Sequence, residues 1–308
     1  MTPELPRRHG DADAGSSNSE LSCAIRFIRL HMDNQVGGIM PHFNESAPMD
    51  LRGLTWSRSA GSVNSDGAFL KAESPDKSLY FKLSSYNAAQ GIYGHETINE
   101  LLAYRVAAEL GFPVPETELT KALVCIDGTE YETYVALSAT YKLPEETRMS
   151  FENFYKSVRA DNESAFSVAV RFGWEKQVYQ MFLFDFLVFN RDRHGANLEV
   201  LDRYGVRRLS PLFDNGLSFA VSCYTDAELD KFDIHADRQV NNFIGSRSLY
   251  ENIASMPSYI SMNNPRPDFH DRLLAGLHNI LSAKHKEVIW DLFSSRWAYV
   301  RRHILDNR

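Results

Sequence analysis

The order of the predicted secondary structure changes near residue 142, and this change limits the possible folds more than any other feature of the chain. Before it, short segments of strand character surround one helical pattern that ends at a glycine and a proline. The strands are predicted at 51–56, 68–72, 78–84, 118–126 and 130–138, and the helix at 95–111. This order favours a small mixed sheet that is covered by one helix.

After residue 142 the pattern is mainly helical, with one short hairpin. Helices are predicted at 150–159, 174–190, 268–282 and 284–305, and hairpin strands at 198–201 and 207–209. Residues 1–22 are rich in Gly, Ser, Asp and Asn, which favours a flexible tail. We therefore predict an α+β fold with two lobes, a small sheet-plus-helix N-lobe over 23–142 and a mainly helical C-lobe over 143–308. A cleft between two lobes is a preferred position for a ligand.

The composition argues against several classes of protein and site. The 308 residues carry a formal net charge of −7, whereas a non-specific nucleic-acid binder or a polybasic membrane anchor needs an excess of positive charge. The three cysteines form no CxxC pair, which argues against a zinc site and against a disulfide framework. No secretory signal and no apolar run of membrane-spanning length is visible. We expect a cytoplasmic protein without direct nucleic-acid or membrane partners; export without a signal stays open, and the oligomeric state is not predicted.

A dense polar segment follows the apolar helix predicted at 174–190. It contains Asp192 and, five residues later, Asn197, while Asp214 follows the predicted hairpin. Asp and Asn taken singly often cap turns, but the three together match the needs of phosphoryl transfer. Amide and carboxylate oxygens suit Mg²⁺, and a further carboxylate can accept the proton of a hydroxyl nucleophile. The spacing between Asp192 and Asn197 is that of the protein-kinase catalytic loop.

Lys82 lies on the polar face of the strand predicted at 78–84, and Glu100 lies in the helix that follows. A kinase uses such a pair to hold the α- and β-phosphates of a nucleotide. Solvated surface charges are the alternative interpretation, and Lys71 is a weaker competitor for the lysine's role. The small, polar residues at 59–67 contain no Walker sequence, but their backbone N–H groups could cradle phosphates.

These segments together resemble the HipA-like serine/threonine kinases, and most closely their short CtkA-like members. The resemblance covers about residues 55–300. It is carried by Asp192-Arg193-His194 with Asn197, by Pro211-Leu212-Phe213-Asp214-Asn215-Gly216, by Tyr80-Phe81-Lys82-Leu83, and by Asn99-Glu100 leading to Gly111-Phe112-Pro113-Val114-Pro115.

The resemblance implies a two-lobed protein-kinase-like fold and the use of ATP and Mg²⁺. It implies that Asp192 is the catalytic base, that Asn197 and Asp214 ligate the metal, and that Lys82, oriented by Glu100, contacts the phosphates. Residues that would contact the nucleotide further include Ser59, Gly61 and Ser62 in the polar loop, and Leu137 at the start of an adenine-binding hinge. The family autophosphorylates a serine of this loop, so Ser59, Ser62 and Ser65 become candidate sites. A protein substrate phosphorylated on Ser or Thr, and action as a toxin or effector, are implied in the same way.

Two other functions stay open at the level of sequence. Phosphatidylinositol kinases share the Asp-Arg-His-x-x-Asn loop, so the substrate could be a lipid or a small molecule. A nucleotide-binding pseudokinase that acts as an interaction module is the second alternative. Retention of Lys82, Asp192, Asn197 and Asp214 argues against a pseudokinase, since such a protein is free to lose them.

Overall fold

The computed structural model describes residues 44–58, 68–254 and 256–305. The predicted tail at 1–22 and the polar loop at 59–67 lie outside the described residues, and so do the candidate residues Ser59, Gly61, Ser62 and Ser65.

Seven strands of the described residues form one mixed sheet. They are β1 (Asn44–Asp50), β2 (Ser57–Arg58), β3 (Ala68–Glu73), β4 (Leu79–Asn87), β5 (Gly91–Tyr93), β6 (Thr117–Ile126) and β7 (Thr129–Ala139). Their order is β1-β6-β7-β4-β3-β2, and β5 pairs with β4. The β1–β6 pair is parallel and the other pairs are antiparallel. β3 and β4 therefore lie side by side, and their register places Lys71 opposite Lys82.

Helix α1 (Glu96–Leu110) is buried over most of its surface. It ends at Gly111, whose φ of 82° is the left-handed conformation that glycine adopts without steric cost. Its apolar side chains belong to the larger hydrophobic core, together with those of the C-lobe helices. A separate, smaller core fills the sheet, where Phe81, Leu83 and Leu137 are buried. Helix α1 thus links the sheet to the C-lobe.

The C-lobe is mainly helical. Its helices are α2 (Phe151–Val158), α3 (Ala165–Arg171), α4 (Glu175–Val188), α5 (Asp226–Leu229), α6 (Leu249–Ala254), α7 (Phe269–Leu274) and α8 (Ala283–Val300), the last continuing as a π-helix (Arg301–Leu305). Two small sheets accompany them, one of β8 (Thr147–Ser150), β10 (Glu199–Arg203) and β11 (Val206–Leu209), and one of β9 (Asp192–Arg193) and β12 (Asn241–Asn242).

Two sequence predictions of local structure were wrong. The segment 51–56 is a turn, because its two leucines, Leu51 and Leu54, are buried at successive bends and do not alternate along a strand. The helix predicted at 268–282 ends at Leu274, and Gly276 then adopts a φ of 75°, which a continuing helix does not allow. The division of the chain near residue 142 remains a prediction. Among the described residues, no helix is long and apolar enough to span a membrane.

Candidate active site

Lys82 projects from β4 away from the buried face that carries Phe81 and Leu83. Its Nζ donates to Oε1 of Glu100 in α1 over 2.6 Å and to Oδ1 of Asp214 over 3.2 Å. The structure therefore joins three of the residues that the sequence singled out, although they lie on three separate elements. The Lys82 side chain is 18% exposed, so its ion pairs are only partly screened by water.

Lys71 of β3 occupies the same site. Its Nζ donates to the second carboxylate oxygen of Asp214, Oδ2, over 2.7 Å. The reason is the cross-strand register, since directly opposed residues of an antiparallel pair project from the same face of the sheet. Lys71 is thus a second cation beside Lys82 and does not replace it.

Asp214 begins a segment that is docked onto α1. Its φ of 59° is left-handed, which Asp tolerates better than most residues. The next residue, Asn215, donates its backbone N–H to Oε1 of Glu100 over 3.1 Å. Asn99 donates from Nδ2 to the carbonyls of Gly216 and Ser218, each over 3.0 Å. A Cβ at Gly216 would approach the backbone oxygen of Glu96 to 3.3 Å, so a glycine permits this close contact.

Asp192 lies on β9, directly after the turn that ends α4. One carboxylate oxygen, Oδ1, accepts a hydrogen bond from Nδ2 of Asn241 over 3.0 Å. The other, Oδ2, lies 3.6 Å from Nε2 of His194. Asn241 reaches this position because β12 pairs in parallel with β9. The Asp192 side chain is 26% exposed and lines a cavity.

Asn197 is buried at the end of the same loop. Its Nδ2 donates to the backbone carbonyl of Asp192 over 2.9 Å. Among the described residues, no donor contacts its Oδ1. This bond turns the amide so that its oxygen acceptor is available to a ligand.

Arg193, between these two residues, is a buried brace. Its guanidinium forms two hydrogen bonds with Asp185 of α4, over 2.8 and 3.1 Å. It also donates to the carbonyl of Phe213 over 2.6 Å, to that of Asn197 over 3.3 Å and to Oδ1 of Asn215 over 2.7 Å. One side chain thus holds the Asn197 loop and the Asp214 segment at a fixed separation.

A cavity of about 1020 Å³ contains this arrangement. The predicted residues that line it are Lys82, Glu100, Asp192, Asn197 and Asp214, and Lys71 lines it as well. Its wall further includes Tyr80, Ser138, Tyr141, Arg148, Glu199 and Phe213. The Tyr141 ring stacks on Phe213 with centroids 5.6 Å apart, and its hydroxyl donates to Oε2 of Glu199 over 2.8 Å.

That Leu137 contacts the nucleotide at a hinge stays a prediction, and its side chain does not line the cavity. Leu137 is 1% exposed and packs in the small N-lobe core, because it faces the buried side of β7. The adjacent Ser138, which faces the other way, lines the cavity instead. Sequence reasoning gave Arg193 no role of its own and did not single out Asn241. The lone Asp185 in an otherwise apolar stretch of helix was a signal for a buried cation partner such as Arg193, whereas nothing near Asn241 marked it.

Opposed charges set the protonation of the site. Burial alone would raise the pKa of Asp214, but the ammonium groups of Lys82 and Lys71 outweigh it and hold that pKa well below its usual value. Burial would likewise lower the pKa of Lys82, but Asp214 and Glu100 outweigh it and raise that pKa. Asp214 and Lys82 therefore stay charged through the neutral range.

The donor set fits a hard divalent cation. The Asp214 carboxylate already attracts two ammonium groups, so its position favours positive charge. Asn197 offers an amide oxygen at the same cavity. Among the described residues no cluster of three or more His, Cys, Asp or Glu side chains could hold a metal. Two protein oxygens agree with Mg²⁺, which retains water and phosphate ligands, better than with zinc.

The N-terminus of α1 packs on the C-lobe through two histidines. His95, its N-cap, lies with its ring 4.4 Å from that of His285 in α8, and it stacks on Tyr224. His285 Nε2 bonds the carbonyl of Cys223 over 2.9 Å. Burial and the neighbouring His285 lower the pKa of His95 to about 4. Burial also lowers the pKa of His285, although the Cys223 carbonyl opposes it.

This pair predicts a loss of stability in mild acid. The unfolded chain binds a proton on His95 below about pH 6.5, and the folded chain does so only near pH 4, so stability falls as the pH is lowered through that window. Because His95 is partly exposed, we expect a loss of about 1–2 kcal/mol between pH 7 and pH 5. Urea unfolding at both values should show this loss in the wild type and less of it in His95→Phe. The variant His270→Gln, at an exposed histidine, should behave as the wild type; an equal loss in His95→Phe would contradict the prediction.

The fold is similar to that of solved kinase structures. The proinflammatory kinase CtkA of Helicobacter pylori superposes with a TM-score of 0.55 at 14% sequence identity, over 86% of this chain and 96% of that chain. The chain has a two-lobed, kinase-like fold. The fold that the sequence resemblance implied is therefore confirmed. At this identity the likeness is one of fold.

More distant similarities extend to two other proteins. HipA of Shewanella oneidensis, solved with HipB and operator DNA, gives a TM-score of 0.38 at 14% identity, over 91% of this chain and 63% of that chain. The PAN3 pseudokinase of Neurospora crassa gives 0.31 at 7% identity, over 92% and 72%. No protein-family model matches the chain, and no curated protein matches it significantly.

Proposed function

We propose that the chain is an ATP- and Mg²⁺-dependent serine/threonine protein kinase. The observation that carries the proposal is the convergence of Lys82, Glu100 and Asp214 in one ion-pair network. Asp192 and Asn197 line the same cavity. Each of these side chains has a role in phosphoryl transfer.

Each residue has a separate role in the proposed reaction. Lys82, oriented by Glu100, binds the α- and β-phosphates. Asp192 accepts the proton of the attacking hydroxyl, and Asn241 fixes the carboxylate that does so. Asn197 and Asp214 would hold Mg²⁺, which when bound neutralises developing charge on the phosphates. The aromatic wall of Tyr80, Tyr141 and Phe213 suits the adenine ring.

A protein hydroxyl is the substrate that we favour, with the polar loop at 59–67 as the first one. Action as a toxin or effector is part of the same proposal. A lipid or small-molecule substrate is the alternative within the same chemistry. A pseudokinase is less favoured, because Lys82 and Glu100 are paired at 2.6 Å and Asp214 is drawn into the same network.

The test is incubation of the purified protein with Mg²⁺ and γ-labelled ATP, followed by mapping of the labelled residues. Label on Ser or Thr of the wild type, and none in Asp192→Ala, supports the proposal. No label, with ATP still raising the melting temperature, would favour a small-molecule kinase or a pseudokinase. No effect of ATP on the melting temperature would contradict any kinase function.

Asn197→Ala is expected to raise the Mg²⁺ concentration for half-maximal rate by about tenfold or more, because a metal ligand and the support of its loop are lost together. Asn197→Asp keeps an oxygen ligand and should retain more of the metal affinity. Asn153→Ala, at an exposed amide of α2, serves as the control. A metal titration of Asn197→Ala that matches the wild type would remove Asn197 from the site.

A further inference from the structure

Asp214 is shared by two lysines, and the proposed reaction assigns a role to only one of them. Lys71 binds Oδ2 over 2.7 Å and Lys82 binds Oδ1 over 3.2 Å, so both carboxylate oxygens face an ammonium group. A metal ion and an ammonium group compete for the same carboxylate oxygen. Asp214 can therefore ligate a metal fully only after one lysine has moved.

The two lysines are not equally held. Lys82 has a second carboxylate partner, Glu100, at 2.6 Å, and its side chain is 18% exposed. Lys71 has Asp214 as its carboxylate partner among the described residues, and its side chain is 34% exposed. Lys71 is therefore the lysine that leaves at the lower cost in free energy.

A released Lys71 remains inside the cavity. Its strand is fixed on both sides, since β3 pairs with β4 and with Ser57 of β2. The side chain can change its rotamer, but the Cα of Lys71 stays opposite that of Lys82 at the cavity wall. The charge balance points to what it contacts next. The two lysines cancel Glu100 and Asp214, and once a divalent cation takes up Asp214, the freed ammonium requires a new anion.

We infer that Lys71 is a second phosphate-binding lysine, which exchanges its ion pair with Asp214 for the nucleotide phosphates when the metal enters. The inference rests on the proposed function. It makes Lys71 a switch between two partners, whereas Lys82 keeps Glu100 throughout. It also predicts opposite effects of one substitution on two ligands, which a merely structural lysine would not produce.

The experiment compares Lys71→Met and Lys71→Gln with Lys121→Met, a control at a partly exposed strand lysine that pairs with Glu132. Mn²⁺ binding without nucleotide is measured by electron paramagnetic resonance, and binding of the β,γ-imido analogue of ATP with Mg²⁺ by calorimetry. Both Lys71 variants should bind Mn²⁺ about tenfold more tightly than the wild type and the analogue about tenfold more weakly, the change expected from one charge-assisted hydrogen bond. Thermal unfolding without ligand confirms that each variant is folded.

The outcomes separate this inference from the proposed function. If the wild type binds the analogue but either Lys71 variant binds Mn²⁺ no more tightly than the wild type, the inference is overturned and the kinase proposal stands. Unchanged affinity for the analogue in the Lys71 variants overturns it as well. If the wild type binds neither Mn²⁺ nor the analogue, the proposed function fails, and the inference fails with it.

Discussion

The Asp192→Ala variant is expected to transfer phosphate at least about 100-fold more slowly than the wild-type protein, because in the proposed reaction Asp192 is the base for the attacking hydroxyl. Its affinity for ATP should stay within about threefold, since Asp192 has no hydrogen bond to Lys71, Lys82 or Asp214 among the described contacts. Single-turnover rates with labelled ATP, together with calorimetric binding, measure the two quantities separately.

The loop around Asp192 should keep its conformation in this variant. The backbone carbonyl of Asp192 still accepts from Asn197, and Arg193 still holds both neighbouring segments. Asp161→Ala, at an exposed loop aspartate, is the matched control and should react at the wild-type rate. A rate for Asp192→Ala within threefold of the wild type would exclude Asp192 as the catalytic base.

Replacing Arg193 with Met should lower the free energy of unfolding by about 3–5 kcal/mol, the usual effect of removing one partner of a buried ion pair. Arg193 and Asp185 are each 1% exposed, so the remaining carboxylate would stay buried without a cation. Its guanidinium also satisfies the carbonyls of Phe213 and Asn197, which would lose a donor at the same time. Urea unfolding at neutral pH measures the change.

The pair of Arg171 and Glu163, whose arginine is exposed, provides the comparison for that measurement. Arg171→Met breaks an ion pair of 2.8 Å in which the arginine is 46% exposed, and should cost no more than about 1 kcal/mol. In the double variant Arg193→Met with Asp185→Leu, part of the loss should be recovered, because no unpaired charge remains. Equal losses in Arg193→Met and Arg171→Met would show that the buried brace does not stabilise the fold.

Periodic patterns and short motifs were enough to predict the strand of Lys82, the helix of Glu100 and the kinase-like fold. The alternation of Leu79, Phe81 and Leu83 placed Lys82 on the face opposite the core, and the structure has it there. The helix that carries Glu100 and the strands on either side of it were predicted close to their observed bounds. The kinase-like fold was implied by the family resemblance, which the segments around Asp192 and Asp214 carry in part, and it is confirmed by the comparison with CtkA.

Contacts between distant residues explain what the sequence did not predict. Asn241 reaches Asp192 across 49 positions, and no periodicity near Asn241 announces that partnership. Lys71 was ranked below Lys82 because sequence cannot show the cross-strand register that places both beside Asp214. The Leu137 side chain faces the N-lobe core, whereas the next residue of the strand, Ser138, lines the cavity, and sequence alone does not show which of the two faces a ligand.

The pairing of β12 with β9 determines how much of the chain the site needs. Every residue of the recognisable motifs has been synthesised by the time Gly216 is added. Two donors that hold β9 come later, the amide of Asn241 and the backbone N–H of Phe243, which donates to the Arg193 carbonyl over 3.0 Å. A fragment that stopped at Gly216 would contain the whole motif and none of this support. The motif residues are therefore complete at Gly216, whereas the loop around Asp192 needs the chain as far as Phe243 for its full set of hydrogen bonds.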